Sequence, residues 1–182
     1  MEKPFGIFVG RFSPVHLGHA VVIRNMVEVC GLSRSLVVLG SSNAPMSFRH
    51  LFSYEDRRGF IKKLFPEIPV IGLPDYPTNE EWLLALDDII RLCQDDIFKI
   101  KHINPLRATY FGGCEEDVHF FLEFHRKCQL LNRFDGSTPK ISATEVRDAL
   151  IQGRSLENLL DSSVIEDVKR VFAIKWDRFR KM

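Results

Sequence analysis

The residues with the clearest chemical potential lie in one short run near the start of the chain, Gly10-Arg11-Phe12-Ser13-Pro14-Val15-His16-Leu17-Gly18-His19. Gly10 lets the backbone turn at a strand end, and Pro14 stiffens the loop. His16 and His19 stand three apart at a helix entrance, so both rings can project to one side. Gly18 keeps the space between them free of a side chain. Amides at a helix N-terminus attract phosphate through exposed N–H groups and the helix dipole. Imidazoles beside them can donate to phosphate oxygens as charge develops. The run therefore reads as an anion site. Two plainer readings compete: a polar surface loop, and a metal site, although no third ligand is evident.

A second run, Ile141-Ser142-Ala143-Thr144-Glu145-Val146-Arg147, has capping-box spacing between Ser142 and Glu145. Ser142 should start a helix with Thr144 in its first turn and Arg147 one turn on. Two hydroxyls, free amides and a guanidinium could then meet one anion. The plain alternative is an ordinary capped helix with a surface arginine. A third run, Gly40-Ser41-Ser42, leads to Arg49 and Arg57. Arg57 is expected to pair with helix or loop carbonyls. A fourth run holds Asp75, Asn79 and Trp82. An indole offers a flat, electron-rich face to a cationic ring, and Asn79 offers both a donor and an acceptor to a carboxamide. Against this, Trp82 could be core and Asn79 only a helix cap.

Short apolar runs alternate with helical stretches to carry these groups. Strands are expected at Phe5–Val9, Ser35–Leu39, Pro69–Leu73, Ala108–Phe111 and near Gln129–Asn132. Helices are expected over Leu17–Cys30, from a Ser53 cap to about Phe65, from an Asn79 cap to about Cys93, and over Glu116–Lys127. Two more close the chain, about Ala143–Gln152 and Ser163–Arg178. Continuous apolar strands between amphipathic helices imply an α/β fold, a doubly wound, Rossmann-like parallel sheet of about five strands. Such sheets bind ligands beyond the carboxyl ends of their strands, so the loops that follow the first four strands are the places to look.

The chain has 182 residues and a formal net charge of +1. That suggests one domain over 1–182, with C-terminal helices from about 143. Near-neutrality argues against a nucleic-acid partner. No apolar run is long enough for a membrane span, and the N-terminal apolar stretch is too short for a signal peptide. Cys30, Cys93, Cys114 and Cys128 form no C-x-x-C pair. Reduced thiols in a cytoplasmic protein are therefore expected. Residues 75–96 hold seven acids against one arginine, and residues 169–182 hold six bases against one acid. Both read as solvated helix faces.

Gly-Arg-Phe-x-Pro-x-His-x-Gly-His resembles the signature of the nucleotidylyltransferase superfamily, and Ile-Ser-x-Thr-x-x-Arg resembles its second phosphate element. Class I aminoacyl-tRNA synthetases carry a related His-x-Gly-His, but their tRNA-reading parts exceed this length. The segment from Gly40 through Arg57, and Asp-x-x-x-Asn-x-x-Trp at 75–82, are similar to archaeal-type nicotinamide-mononucleotide adenylyltransferases. Departures are Met46 for His, Leu51 for Pro and Asp56 for Glu. Gly112-Gly113-Cys114 stands where that type has Ser-Gly-Asn. This last segment looks more like the transferase half of bacterial bifunctional enzymes that also carry a Nudix hydrolase domain; no Nudix signature is present.

The resemblance implies transfer of AMP from ATP to nicotinamide mononucleotide, giving NAD and pyrophosphate. It implies that His16, His19, Arg11 and Arg147 serve catalysis, with His19 donating to the α-phosphoryl transition state. Gly10, Gly18, Arg49, Ser142 and Thr144 would bind ATP phosphates, and Asp75, Asn79 and Trp82 the nicotinamide. Mg²⁺ would arrive with ATP, held mainly by phosphates rather than by protein. Other expectations stay open: phosphopantetheine or a CTP-dependent substrate, a nucleotide-binding regulator without turnover, and an assembly of identical subunits.

Overall fold

The computed structural model describes residues 3–92, 104–131 and 139–182. Five strands, β1 (Gly6–Gly10), β2 (Ser35–Leu39), β3 (Val70–Gly72), β4 (Thr109–Gly112) and β5 (Lys127–Leu130), form one sheet in the order β3-β2-β1-β4-β5. Every pairing is parallel. The helices are α1 (Leu17–Cys30), α2 (Tyr54–Leu64), α3 (Asn79–Leu92), α4 (Glu115–Glu123), α5 (Ala143–Ile151) and α6 (Ser162–Phe179).

Alternation along the strands divides the core. Phe8, Val37 and Phe111 face a layer that includes Val22, Met26, Phe60, Val146, Val164 and Phe172. Ile7, Leu36, Val38 and Tyr110 face the other way, toward Leu83, Leu86, Ile90 and Phe121 of α3 and α4. Both sheet faces are thus covered, which is why β2 is buried at all five positions. Close packing of α1 depends on Gly6, where a Cβ would lie 2.7 Å from both Cys30 Sγ and Met26 Cγ. α6 is tied to α2 by Lys63–Asp167 and by Lys175–Asp56 at 3.1 Å.

The chain order reverses between β1 and β4, so the carboxyl ends of these strands open the crevice where ligands bind in such sheets. No helix among the described residues is long and apolar enough to cross a membrane.

Three local expectations are corrected. α4 stops at Glu123, not Lys127, although no glycine or proline marks the stop. His125 takes the left-handed conformation instead (φ 55°). Its N–H reaches Leu122 O at 3.0 Å, and Arg126 N–H reaches back to Phe121 O at 2.9 Å. This is the bond pattern of a glycine-ended helix built on histidine. β5 accordingly begins at Lys127. The cap of α3 is Thr78 rather than Asn79: Thr78 Oγ1 accepts Glu81 N–H, and Glu81 Oε2 accepts Thr78 N–H, both at 3.2 Å. α6 starts one residue early because Asp161 accepts the Ser163 N–H at 3.1 Å. The expected ends at Cys93 and Asn132 lie outside the described residues.

Candidate active site

β1 delivers the chain to Gly10, whose carbonyl accepts Gly40 N–H at 3.0 Å and so joins the ends of β1 and β2. The sharp turn expected at Gly10 occurs two residues later, at Phe12 (φ 48°). Gly10 is needed for space: a Cβ there would meet the Phe12 ring at 3.0 Å. Phe12 is buried against Phe8 and His19, with centroids 5.0 and 4.6 Å away. That packing offsets the cost of its left-handed backbone.

His16 is the N-cap of α1. Its Nδ1 accepts His19 N–H, and His19 Nδ1 accepts His16 N–H, each at 3.3 Å. The rings stack with centroids 3.6 Å apart. A ring nitrogen that accepts cannot carry the proton, so each neutral imidazole holds its proton on Nε2. Gly18 is buried beneath; a Cβ there would lie 3.2 Å from the His16 ring and from Pro139 O.

Arg57 of α2 is fully buried and staples the surrounding loops. Its Nη1 donates to Arg11 O at 2.8 Å and Gly40 O at 2.9 Å, and its Nη2 donates to Ser41 O at 3.0 Å. This is the carbonyl-pairing role expected from the sequence. Burial pushes its pKa down, and the Tyr54 and Asp75 charges oppose that.

Ser142 caps α5, accepting Glu145 N–H at 3.1 Å. Arg147, one turn on, is only 5% exposed. Its Nη1 donates to Ser13 O at 2.7 Å and its Nη2 to Thr144 Oγ1 at 3.0 Å. The second motif is thereby locked onto the first. Burial lowers the Arg147 pKa, and Arg49 lowers it further while Asp148 raises it.

The loop after β3 meets the loop after β2: Ser41 Oγ donates to Asp75 Oδ1 at 2.8 Å, and Asp75 N–H donates to Asn43 Oδ1 at 3.0 Å. Because Thr78 does the capping, Asn79 is not spent on it. Trp82 is half-buried, with Phe120 edge-on at 5.4 Å and Phe121 tilted at 6.2 Å. It is both a core residue and part of the cleft wall, so the two competing expectations describe two sides of one ring.

These elements enclose a cleft of about 990 Å³. Its wall includes Gly10, Arg11, His16 and His19 from the first loop, Arg49 from the second, and Asp75, Asn79 and Trp82 from the third. Ser142, Thr144 and Arg147 complete it. Of the candidate site residues, Gly18 alone is not on the wall. Ser41, Phe48, Cys114, Glu116 and Phe120 also line it, without having been singled out as site residues from the sequence. Phe120 could have been found from its helical spacing to Glu116. Phe48 carries no local signal beyond its neighbour Arg49. Burial, together with a hydrogen bond involving Glu116, pushes the Cys114 thiol up to about 12. Cys30, Cys114 and Cys128 are free thiols, and Cys93 lies outside the described residues. Among the described residues no three His, Cys, Asp or Glu side chains gather as a metal site.

The cleft therefore has a cationic side, built by the first loop, Arg49 and α5, and an aromatic and acidic side, built by α3 and α4. A model of the cytidylyltransferase-like family matches residues 7–149. A nicotinamide-nucleotide adenylyltransferase of Thermococcus sibiricus is 25% identical over 177 residues, covering 93% of this chain and 86% of that one. The enzyme of the same name from Archaeoglobus fulgidus is 26% identical over 179 residues, covering 92% of each. A bifunctional NMN adenylyltransferase/ADP ribose pyrophosphatase of Francisella tularensis shares the fold, with a TM-score of 0.71 at 18% identity. The match takes in 98% of this chain and 56% of that structure, so the chain spans little more than half its length.

Proposed function

The chain belongs to the cytidylyltransferase-like family, and from that premise we propose that it is an adenylyltransferase that moves AMP from ATP to nicotinamide mononucleotide. The products are NAD and pyrophosphate. The observation that carries this reading is the two-sided cleft. Phosphate-binding groups converge at one side, and Trp82 and Asn79 line the other. The names of the similar archaeal enzymes support the same substrate pair.

The chemistry follows from the groups present. A phosphate oxygen of the mononucleotide forms a bond to the α-phosphorus of ATP, and the bond from that phosphorus to the bridging oxygen of the β-phosphate breaks. The attacking oxygen is already ionised and the leaving group is an anion, so no proton needs to be removed. Catalysis then consists of positioning and charge stabilisation. In this reading His16 and His19 offer Nε2–H donors, and His19 is the one that donates to the α-phosphoryl transition state. Arg11 and Arg49 contact the polyphosphate. Ser142, Thr144 and Arg147 hold the departing pyrophosphate, while Gly10 and Gly18 keep the backbone and rings close enough to serve. Mg²⁺ enters as part of the MgATP substrate and neutralises phosphate charge. Asp75, Asn79 and Trp82 receive the nicotinamide.

Residues 1–182 then act as one nucleotidylyltransferase domain, working in the cytoplasm on small molecules. The test is to incubate the chain with ATP and Mg²⁺ plus nicotinamide mononucleotide, nicotinate mononucleotide, phosphopantetheine or glycerol phosphate, and to measure pyrophosphate. Release with nicotinamide mononucleotide is expected. Release with phosphopantetheine alone, or with none, overturns the assignment.

A further inference from the structure

Arg147 is held on a third side by a residue that neither phosphate motif contains. Its Cζ lies 5.3 Å from the centroid of the Phe48 ring. Phe48 and Arg49 are the two central residues of a turn closed by His50 N–H to Ser47 O at 3.1 Å and to Ser47 Oγ at 3.2 Å. Both line the cleft. Behind the turn, Phe48 meets Trp176 of α6 edge-on at 6.3 Å. Trp176 is itself stacked between Phe172 and Phe179, each 5.7 Å away. An aromatic column thus runs from the C-terminal helix to the guanidinium.

From this geometry we infer that Phe48 is a positioning residue for the pyrophosphate side of the cleft, and that α6 acts through it. The backbone and hydroxyl bonds of Arg147 fix two of its nitrogens: Nη1 is held by Ser13 O and Nη2 by Thr144 Oγ1. Two anchors leave the plane free to rock about the line joining them. An aromatic face packed on the guanidinium stops that rocking, and attracts the cation as well. The same contact anchors the turn that carries Arg49, whose charge repels that of Arg147. Without Phe48 the two cations would spread apart when no anion lies between them. The support comes from Ser162–Phe179, beyond residues 7–149 that the family model matches.

The inference rests on the proposed ATP site, and its test is kept separate from turnover. Phe48→Leu keeps apolar volume but removes the aromatic face; Phe48→Tyr keeps the face. Calorimetry with ATP and Mg²⁺ should show roughly tenfold weaker binding for Phe48→Leu, the size of one cation–π contact, and recovery to within about twofold for Phe48→Tyr. Trp176→Leu should weaken ATP in the same direction. The affinity for nicotinamide mononucleotide, read by the same calorimetry, should change by less than about twofold in all three, because the column ends on the pyrophosphate side. ATP binding unchanged in Phe48→Leu, or equal losses for both substrates, overturns the inference. Unchanged ATP binding in Trp176→Leu overturns the part given to α6. A wild-type chain that binds ATP yet makes no NAD sinks the proposed reaction and leaves this test standing.

Discussion

His16 and His19 hold each other by exchanging caps: each Nδ1 accepts the other residue's backbone N–H at 3.3 Å, and the rings stack 3.6 Å apart. A helix start normally satisfies these amides with serine, aspartate or glutamate. Here imidazoles do so, and the same bonds fix where each proton sits. The cap and the proposed donors are thus one device, with Nδ1 serving the fold and Nε2 the atom proposed to serve the chemistry.

The two jobs can be pulled apart by substitution. Asparagine is a strong N-cap acceptor and glutamine suits the third helical position. His16→Asn and His19→Gln should therefore keep the melting temperature within a few degrees. Alanine at either position should cost about 1 kcal/mol, the usual value of a lost cap. Activity should not track stability. Both His19→Gln and His19→Ala should lower kcat by roughly 10²-fold or more through loss of one transition-state donor. Full activity in His19→Gln would confine His19 to capping.

Arg57 carries a different kind of weight. It satisfies the carbonyls of Arg11, Gly40 and Ser41 from a fully buried position. Phe60 and Ile61 of the same helix belong to the adjoining core. Arg57→Met should leave these acceptors unpaired, at a cost of about 3 kcal/mol or more. Urea unfolding reads that loss directly. A change under about 1 kcal/mol would mean that water replaces the guanidinium without penalty.

Cys114 lines the cleft, yet its thiol should be slow to react. Burial, and the hydrogen bond involving Glu116, raise its pKa to about 12. A raised value favours the neutral thiol, and only the thiolate is a strong nucleophile. At pH 8 the thiolate fraction should be about 10⁻⁴, roughly a thousandfold below an ordinary cysteine. Alkylation of Cys114 by iodoacetamide, mapped by mass spectrometry, should rise about tenfold per pH unit between 8 and 11. A rate that levels off by about pH 10 would show a thiol with no such shift.

Much of this is legible in the sequence because the signals are local. Apolar runs and caps locate five strands and six helices, and the first phosphate motif falls at a strand end because the parallel sheet puts it there. Arg57 can be read as structural from the chain alone. What escapes depends on tertiary context. The end of α4 is written in His125, a residue with no special tendency to stop a helix, held left-handed by bonds back to Leu122 and Phe121. Asn79 has the composition of a cap, but Thr78, one residue earlier, has the partner that makes one, Glu81. Phe48 acquires its place only when α6 folds back beside the β2 loop, a contact between residues 48 and 176 that no window of sequence contains.

Trp82 offers the sharpest discrimination between substrate ends. Its ring packs on Phe120 and Phe121 while also lining the cleft. Trp82→Ala removes both functions, so any stability loss must be measured beside it. Trp82→Phe keeps an aromatic ring against α4 but withdraws the larger, more electron-rich face from the ligand. The expected result is a KM for nicotinamide mononucleotide raised roughly tenfold in Trp82→Phe and further in Trp82→Ala, with the KM for ATP within about twofold of wild type. The ratio of the two effects decides the role. A packing residue transmits its loss through the sheet to both substrates alike, whereas a ring that faces only the nicotinamide end cannot. Equal rises for the two substrates in Trp82→Phe would make Trp82 core and leave the nicotinamide without its aromatic partner.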